Sequence, residues 1–134
     1  MPSQLARIHR VRTLQLTLAL AEEARANAQV ATEQALSERI AQLAEAVAPA
    51  SGSAAALLAA SHYRDRLGKS AVASANRVRT AESDAARATE GSRAAKRDQS
   101  AVEKLIQRAR ADALRREMRA LEDAPSTRKR HDLC

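Results

Sequence analysis

The stretch Pro49-Ala50-Ser51-Gly52-Ser53 is the one place in the 134-residue chain where turn-forming residues cluster. Proline and glycine interrupt helices and serine caps them, so this stretch predicts a turn at 49–53. The sequence on either side predicts a helix from about residue 3 to 48 and a second from about 54 to 124. A short connection between amphipathic helices favours an antiparallel hairpin, and a kink in one continuous rod is the alternative.

The composition supports long helices rather than a globular core. The chain is 45% apolar but only 1% aromatic, with one tyrosine and neither tryptophan nor phenylalanine. Alanine therefore supplies most of the apolar share, and alanine buries little surface. Such a mixture of alanine, leucine and charged residues is typical of coiled coils. We predict an all-α fold, an elongated two-helix antiparallel coiled-coil hairpin with a longer second helix and a basic tail at 125–134, forming a single coiled-coil domain over 1–134.

Apolar spacing predicts which residues form the seam between the helices. In the second helix an alternating four-three pattern runs through Leu67, Ala71, Ser74, Val78, Ala81, Ala85, Ala88, Ser92, Ala95, Gln99, Val102, Ile106, Ala109 and Ala113. The first helix carries a shorter match through Leu14, Thr17, Ala21, Ala24, Ala28, Ala31 and Ala35. It then shifts by one residue to Leu36, Ile40, Leu43 and Val47, as a coiled-coil stutter would.

The unequal helix lengths predict a projecting end. The second helix exceeds the first by about 25 residues, so about 37 Å of it would extend unpaired at its C-terminal end. Leu114, Met118 and Leu121 form an apolar stripe on that part, offset by one residue from the main seam. An apolar stripe on a projecting helix needs a partner.

The sequence offers no catalytic or cofactor site. Gly68-Lys69-Ser70 matches the end of a phosphate-binding loop, but Tyr63 stands where the loop needs its first glycine. The three histidines are dispersed, and the only cysteine is Cys134, so neither a metal cluster nor a Cys/His nucleophile is indicated. We expect a non-enzyme without cofactors. The absence of a disulfide pair, signal peptide or apolar membrane span leads us to expect a soluble cytoplasmic protein.

A formal net charge of +7 indicates an acidic partner, which can be nucleic acid, a lipid surface or an acidic protein. The basic excess collects near the C-terminus, where Arg128, Lys129 and Arg130 adjoin. No aromatic residue lies nearby to stack on a base, and no nucleic-acid-binding motif is present. We therefore expect no nucleic acid as partner. A basic coiled coil that binds nucleic acid or acts as a scaffold is kept as the alternative.

The arrangement as a whole resembles the FliJ/YscO family. The features that carry this resemblance are an N-terminal helix, the stretch "SGSAAALLAASHYRDRLGKSA" with Tyr63 and Leu67 four apart, a long charged second helix, and the basic "RKRHD". It covers nearly the whole chain in architecture. It implies a stalk component of the flagellar type III export apparatus, at the cytoplasmic face of the inner membrane. Its implied partners are the hexameric export ATPase, the cytoplasmic domain of the export gate FlhA, and export chaperones.

The resemblance also implies two binding surfaces. The residues expected to contact the export gate lie early in the second helix and are Tyr63, Arg66, Leu67, Ser70, Ala73 and Arg77. The family often carries phenylalanine three residues after the tyrosine, and Arg66 in that place implies an acidic group on the partner. The residues expected to face the ATPase are Leu5, Ile8, Val11, Leu114, Met118 and Leu121.

Overall fold

The computed structural model describes residues 3–47 and 52–125. Within these ranges the chain forms two helices and no strand: α1 spans Gln4–Ala46 and α2 spans Ala54–Asp123. The two helices pack against each other, and α2 is the longer, at 70 residues against 43. The predicted all-α class with a longer second helix is confirmed. Residues 49–51 of the predicted turn and 126–134 of the predicted tail lie outside the described residues.

A serine begins each helix. Ser3 and Ser53 have extended backbone conformations, and their Oγ atoms accept hydrogen bonds from the backbone N–H of Ala6 (3.2 Å) and Ala56 (3.3 Å). Each serine thereby satisfies one of the N–H groups that the first turn of a helix leaves without a partner, which contributes about 1 kcal/mol. Ser3 therefore caps α1, and Ser53 caps α2 in the same way.

The two helices run antiparallel. Near the start of α1, Arg12 Nη1 lies 3.2 Å from Asp98 Oδ2, which is late in α2. Further along α1, Glu33 Oε2 accepts a hydrogen bond of 3.1 Å from Arg77 Nε, which is earlier in α2. Positions in α2 thus fall as positions in α1 rise, so the chain folds back as a hairpin and does not continue as one rod.

The seam of α2 lies where the four-three pattern predicts. The buried residues of α2 all belong to the predicted set: Leu67, Ser74, Ala81, Ser92, Gln99 and Val102. Most of the other predicted positions are half-buried, whereas Ala71, Ala109 and Ala113 are exposed. The heptad spacing of the longer helix therefore identifies its inner face correctly.

The predicted seam of α1 is wrong. Every residue from Leu14 to Ala35 in that prediction is exposed, as are Leu36 and Leu43, and only Ile40 and Val47 lie toward α2. The half-buried residues of the helix follow an unbroken three-four spacing on the opposite side: His9, Arg12, Leu16, Ala19, Glu23, Ala26, Val30, Glu33, Ser37 and Ile40. No phase shift interrupts them, so the predicted stutter is wrong too. We call the half-buried side of α1 its inner face and the exposed alanine-rich side its outer face.

The projection of α2 is shared between its two ends. At the hairpin end, Arg64 Nη2 donates to the carbonyl oxygen of Val47 (3.4 Å), so residues 54–63 extend past the described part of α1. At the open end, where α1 begins, Ser3 and Ala113 line the same groove, and residues 114–123 extend past the described part of α1. Each projection is about 15 Å long at 1.5 Å per residue. The predicted single overhang of about 37 Å is wrong because it assumed that the helices were level at the hairpin end.

Candidate docking surfaces

A carboxylate on the inner face of α1 is held by two hydroxyl groups of α2. Ser92 Oγ donates to Glu23 Oε2 (2.5 Å), and Thr89 Oγ1 donates to Glu23 Oε1 (3.2 Å). Hydrogen bonds to a charged group contribute more than those between neutral groups. A charged residue in a mostly apolar seam also disfavours other alignments of the helices, because each shifted register would leave the carboxylate without these donors. The Glu23 contacts therefore fix the register of the rod.

A second polar contact lies closer to the open end. The side-chain amide of Gln99, which is buried, donates to Thr13 Oγ1 (3.2 Å), and its oxygen accepts from Lys96 Nζ (3.2 Å). Both ends of the amide are thus satisfied, as a buried polar group requires. Ser74 behaves differently, because its Oγ is completely buried and has no hydrogen-bond partner. That hydroxyl costs stability, on the order of 1 kcal/mol or more.

An open groove of about 830 Å³ lies between the helices at the open end. Its apolar floor comes from small and branched residues of both helices, and His9 and Glu103, whose side chains are 3.3 Å apart, cross it. Arg10 and Arg110 also line it. The lining residues are Ser3, Leu5, Ala6, His9, Arg10, Thr13, Leu14, Glu103, Ile106, Gln107, Ala109, Arg110 and Ala113.

The groove continues onto the projecting part of α2. Leu114, Met118 and Leu121 follow Gln107 and Arg110 at three- and four-residue spacing, so they lie on the same side of the helix. Their exposed fractions are 58%, 54% and 76%. Within the described residues α1 does not reach this segment, so the predicted stripe is present and uncovered there. We call the groove and these three residues together the open-end surface.

The other residues predicted to face the ATPase divide between two sides of the rod. Leu5 lines the groove, next to the stripe of α2. Ile8 and Val11 are 38% and 52% exposed, and their positions place them on the side of α1 that points away from the groove. The structure thus brings together four of the six predicted residues and leaves two on the opposite side.

The residues predicted to contact the export gate lie near the hairpin end of α2. Tyr63, Arg66, Ser70 and Ala73 are exposed on one side of the helix. Leu67 is only 9% exposed, because it packs in the seam and presents little surface to a partner. Arg77, the last of the set, is bonded to Glu33 of α1.

Sequence reasoning named Leu5 and Leu14 on the α1 side of the groove and missed the polar residues there. His9, Arg10 and Thr13 had no place in the predicted seam, because that prediction followed the other face of the helix. The antiparallel register would have identified them, since it places the first turns of α1 beside residues 103–113 of α2. Because the wrong face of α1 was predicted to be buried, residues that α1 contributes to a site between the two helices were missed.

The Gly68-Lys69-Ser70 triplet lies inside α2, where backbone N–H groups are used by the helix and cannot surround a phosphate. Among the described residues no three His, Cys, Asp or Glu side chains group as a metal site would require. In the same part of the chain neither helix is long and apolar enough to cross a membrane. Comparison of the chain with models of known families, with curated proteins and with solved structures finds no match.

Proposed function

We propose that this protein is a non-catalytic stalk of the flagellar type III export apparatus that couples the export ATPase ring to the export gate. The observation that carries the proposal is the open-end surface, an apolar groove that continues onto a projecting, uncovered helix. A rod with such an end is suited to insertion into a partner that surrounds it. The resemblance to the FliJ/YscO family names that partner as the hexameric ATPase at the cytoplasmic face of the inner membrane.

The proposed ATPase contact buries the stripe first. Leu114, Met118 and Leu121 are more than half exposed, and fully burying side chains of this size contributes about 1.5–3 kcal/mol each. Leu5 adds to the same contact from the groove. A ring surrounds whatever enters it, so Ile8 and Val11, on the side of α1 away from the groove, meet its opposite wall. All six residues therefore belong to the proposed contact, although they do not form one patch.

The proposed contact with the cytoplasmic domain of FlhA lies near the hairpin end. Its accessible residues are Tyr63, Arg66, Ser70 and Ala73, and an exposed aromatic beside an arginine is a frequent interface anchor. Leu67 supports this surface from the seam. The ATPase and gate contacts then lie near opposite ends of the rod, as a coupling role requires. Export chaperones are further proposed partners through the family resemblance.

The test is ATP turnover by the purified flagellar export ATPase with and without the full chain. We expect the protein to stimulate turnover. Replacing the stripe by Leu114→Ser, Met118→Ser and Leu121→Ser should raise the concentration for half-maximal stimulation by about tenfold or more, because apolar burial is lost. The matched control replaces three exposed apolar residues elsewhere on α2, Leu57→Ser, Leu58→Ser and Val72→Ser, and should leave stimulation unchanged.

Two outcomes would contradict the proposal. One is the absence of stimulation by the unmodified chain, and the other is an equal loss in the stripe variant and its control. Repeating the assay at higher salt separates the alternative, since binding through counterion release falls steeply with salt and apolar contacts do not. Stimulation that disappears at about 0.3 M salt would favour a basic coiled coil held by charge.

A further inference from the structure

The outer side of α2 is strongly basic along most of its length. This side comprises the three heptad positions that point away from the α2 seam, and we call it the basic face. Between residues 65 and 122 it holds nine basic residues and three acidic ones. The basic residues, all exposed, are Arg66, Lys69, Arg79, Arg87, Arg93, Arg97, Lys104, Arg108 and Arg115, and the acidic residues are Asp65, Glu90 and Glu122.

Most acidic residues of α2 lie instead on the edges that flank the seam. Three of them contact α1: Asp98 lies 3.2 Å from Arg12, Glu103 lies 3.3 Å from His9, and Glu82 accepts a hydrogen bond from Gln34. Part of the negative charge of α2 is thus used between the helices, while the nine basic residues of the basic face point outward. Three of the outward arginines also have local partners, as in the pair of Arg87 with Asp84.

The opposite side of the rod, on α1, carries little net charge. Over residues 15–47, α1 carries five glutamates and two arginines, but Glu23 and Glu33 lie on the inner face and are bonded to α2. The outward charges of this part are Glu22, Glu38 and Glu45 with Arg25 and Arg39. The rod therefore has a basic side on α2 and a nearly neutral side on α1 over this part of its length. A charged surface that meets this rod would orient it as well as attract it.

From this arrangement we infer that the basic face of α2 binds directly to an anionic lipid bilayer, with the rod lying along the membrane plane. The basic face is defined by heptad positions, which turn about a straight helix by about 20° per heptad, so a plane meets part of the face at a time. Five of its basic residues, Arg93, Arg97, Lys104, Arg108 and Arg115, lie within about three heptads, a distance of about 33 Å. They fall within about 60° of one another around the helix, so a planar surface can meet all five.

Exposed apolar residues on the same face support a lipid partner. Val72, Leu114, Met118 and Leu121 are 54–76% exposed, and the last three lie at the edge of the basic face that borders the open-end groove. Side chains of this kind enter the boundary between headgroups and acyl chains when basic residues hold a helix at the surface. Each lysine or arginine close to an anionic leaflet strengthens binding several-fold. This inference goes beyond the proposed export role and does not rest on it.

The test is sedimentation of the full chain with phosphatidylcholine vesicles containing about one-third phosphatidylglycerol, against vesicles of phosphatidylcholine alone. The basic-face variant carries Arg79→Gln, Arg97→Gln, Lys104→Gln and Arg108→Gln. Its matched control loses the same charge from α1 through Arg7→Gln, Arg10→Gln, Arg25→Gln and Arg39→Gln. We expect the basic-face variant to bind anionic vesicles about a hundredfold more weakly and the control to change by less than about threefold. Circular dichroism checks that both remain helical.

Three results would overturn the inference. The first is equal binding to neutral and anionic vesicles, and the second is an equal loss in the two variants. The third is tighter binding to a DNA duplex than to anionic vesicles, with the same dependence on the basic face, which would assign this face to nucleic acid.

The orientation provides an independent readout. An environment-sensitive fluorophore is placed on the basic face at Ala101→Cys or on the outer face of α1 at Ala28→Cys, each with Cys134→Ser. Both alanines are exposed in the rod, so the two labels start in water. We expect anionic vesicles to shift the emission of the label at position 101 to shorter wavelength and to leave the other unchanged. Equal shifts at both positions would contradict binding through the basic face.

Discussion

The inner and outer faces of α1 differ in what covers them, although both carry residues at three- and four-residue spacing. The outer face is the more uniformly apolar, since it is mostly alanine with Leu14 and a single threonine, yet it is exposed. The inner face includes two glutamates, Glu23 and Glu33, and is half-buried against α2. The helix therefore buries the face with more polar residues.

Two properties distinguish the buried face. Its larger apolar residues, Leu16, Val30 and Ile40, each bury more surface than an alanine does. Its glutamates find donors on α2, where Glu23 is bonded to hydroxyl groups and Glu33 to Arg77. A polar residue in a seam is tolerated when its partner is in place, and it then disfavours the alternatives. Which face of α1 is buried depends on its complementarity with α2 and not on how uniformly apolar the face is.

The largest expected effect comes from the same substitution on the two faces. Leu16→Asp removes apolar burial and places a carboxylate in the seam, so it should lower the free energy of unfolding by about 3 kcal/mol. Leu18→Asp, two residues away, changes a side chain that is 71% exposed and should change stability by about 0.5 kcal/mol or less. Thermal and urea unfolding followed by circular dichroism measure both.

Equal destabilisation by Leu16→Asp and Leu18→Asp would mean that the outer face is also covered in solution. The reverse order would mean that α1 buries its alanine stripe against α2 and that the inner face is assigned wrongly. Either result would contradict the assignment of a buried inner face and an exposed outer face to α1.

The sequence predicted the helices and the α2 seam for physical reasons. Turn residues cluster only around Gly52 in this alanine-rich chain, so the break between helices is marked without ambiguity. Along α2 the four-three pattern lasts for many turns and includes the larger residues Leu67, Val78, Val102 and Ile106. Size and periodicity agree there, so the inner face of α2 follows from sequence alone.

The sequence did not predict the α1 seam because size and periodicity disagree in that helix. Alanine is apolar enough to extend a stripe from Leu14 to Ala35 but too small to require burial. The competing face contains Glu23 and Glu33, and their favourable environment depends on Thr89, Ser92 and Arg77. Those residues lie 44 or more positions away, and only the fold brings them together. His9, Arg10 and Thr13, on the α1 side of the open-end groove, were missed for the same reason.

The second prediction removes a polar contact of the inner face. Glu23→Ala deprives the Ser92 and Thr89 hydroxyl groups of their acceptor and should lower the free energy of unfolding by about 1.5 kcal/mol. Glu22→Ala removes the neighbouring glutamate, whose ion pair with Arg25 lies in solvent, and should change stability by about 0.5 kcal/mol or less. Urea unfolding of both variants gives the difference directly, since the change in helix propensity is the same.

Glu23→Gln serves as a further control, because the amide oxygen still accepts one of the two hydrogen bonds and should recover part of the loss. A Glu23→Ala protein as stable as its Glu22→Ala counterpart would show that the contact with Ser92 and Thr89 contributes nothing. The polar residues of the inner face would then be tolerated rather than stabilising.

The smallest expected effect distinguishes ion pairs on the two sides of α1. Glu33 is 14% exposed at its side chain and pairs with Arg77 across the seam, at 3.1 Å. Glu22 and Arg25 pair within α1 at 3.0 Å, and both are more than 60% exposed. Double-mutant cycles with glutamine should give a coupling energy of about 1 kcal/mol for the first pair and about 0.3 kcal/mol for the second.

Salt separates the two pairs further. At about 1 M salt the screening length falls to about 3 Å, so the coupling of the exposed pair should vanish while the interhelical pair keeps most of its coupling. Equal couplings with equal salt dependence would mean that solvent reaches Glu33 as freely as Glu22. The inner face would then be distinguished by its apolar residues alone. A coupling retained by Glu33 and Arg77 instead means that charge contacts to α2 help to decide which face of α1 is buried.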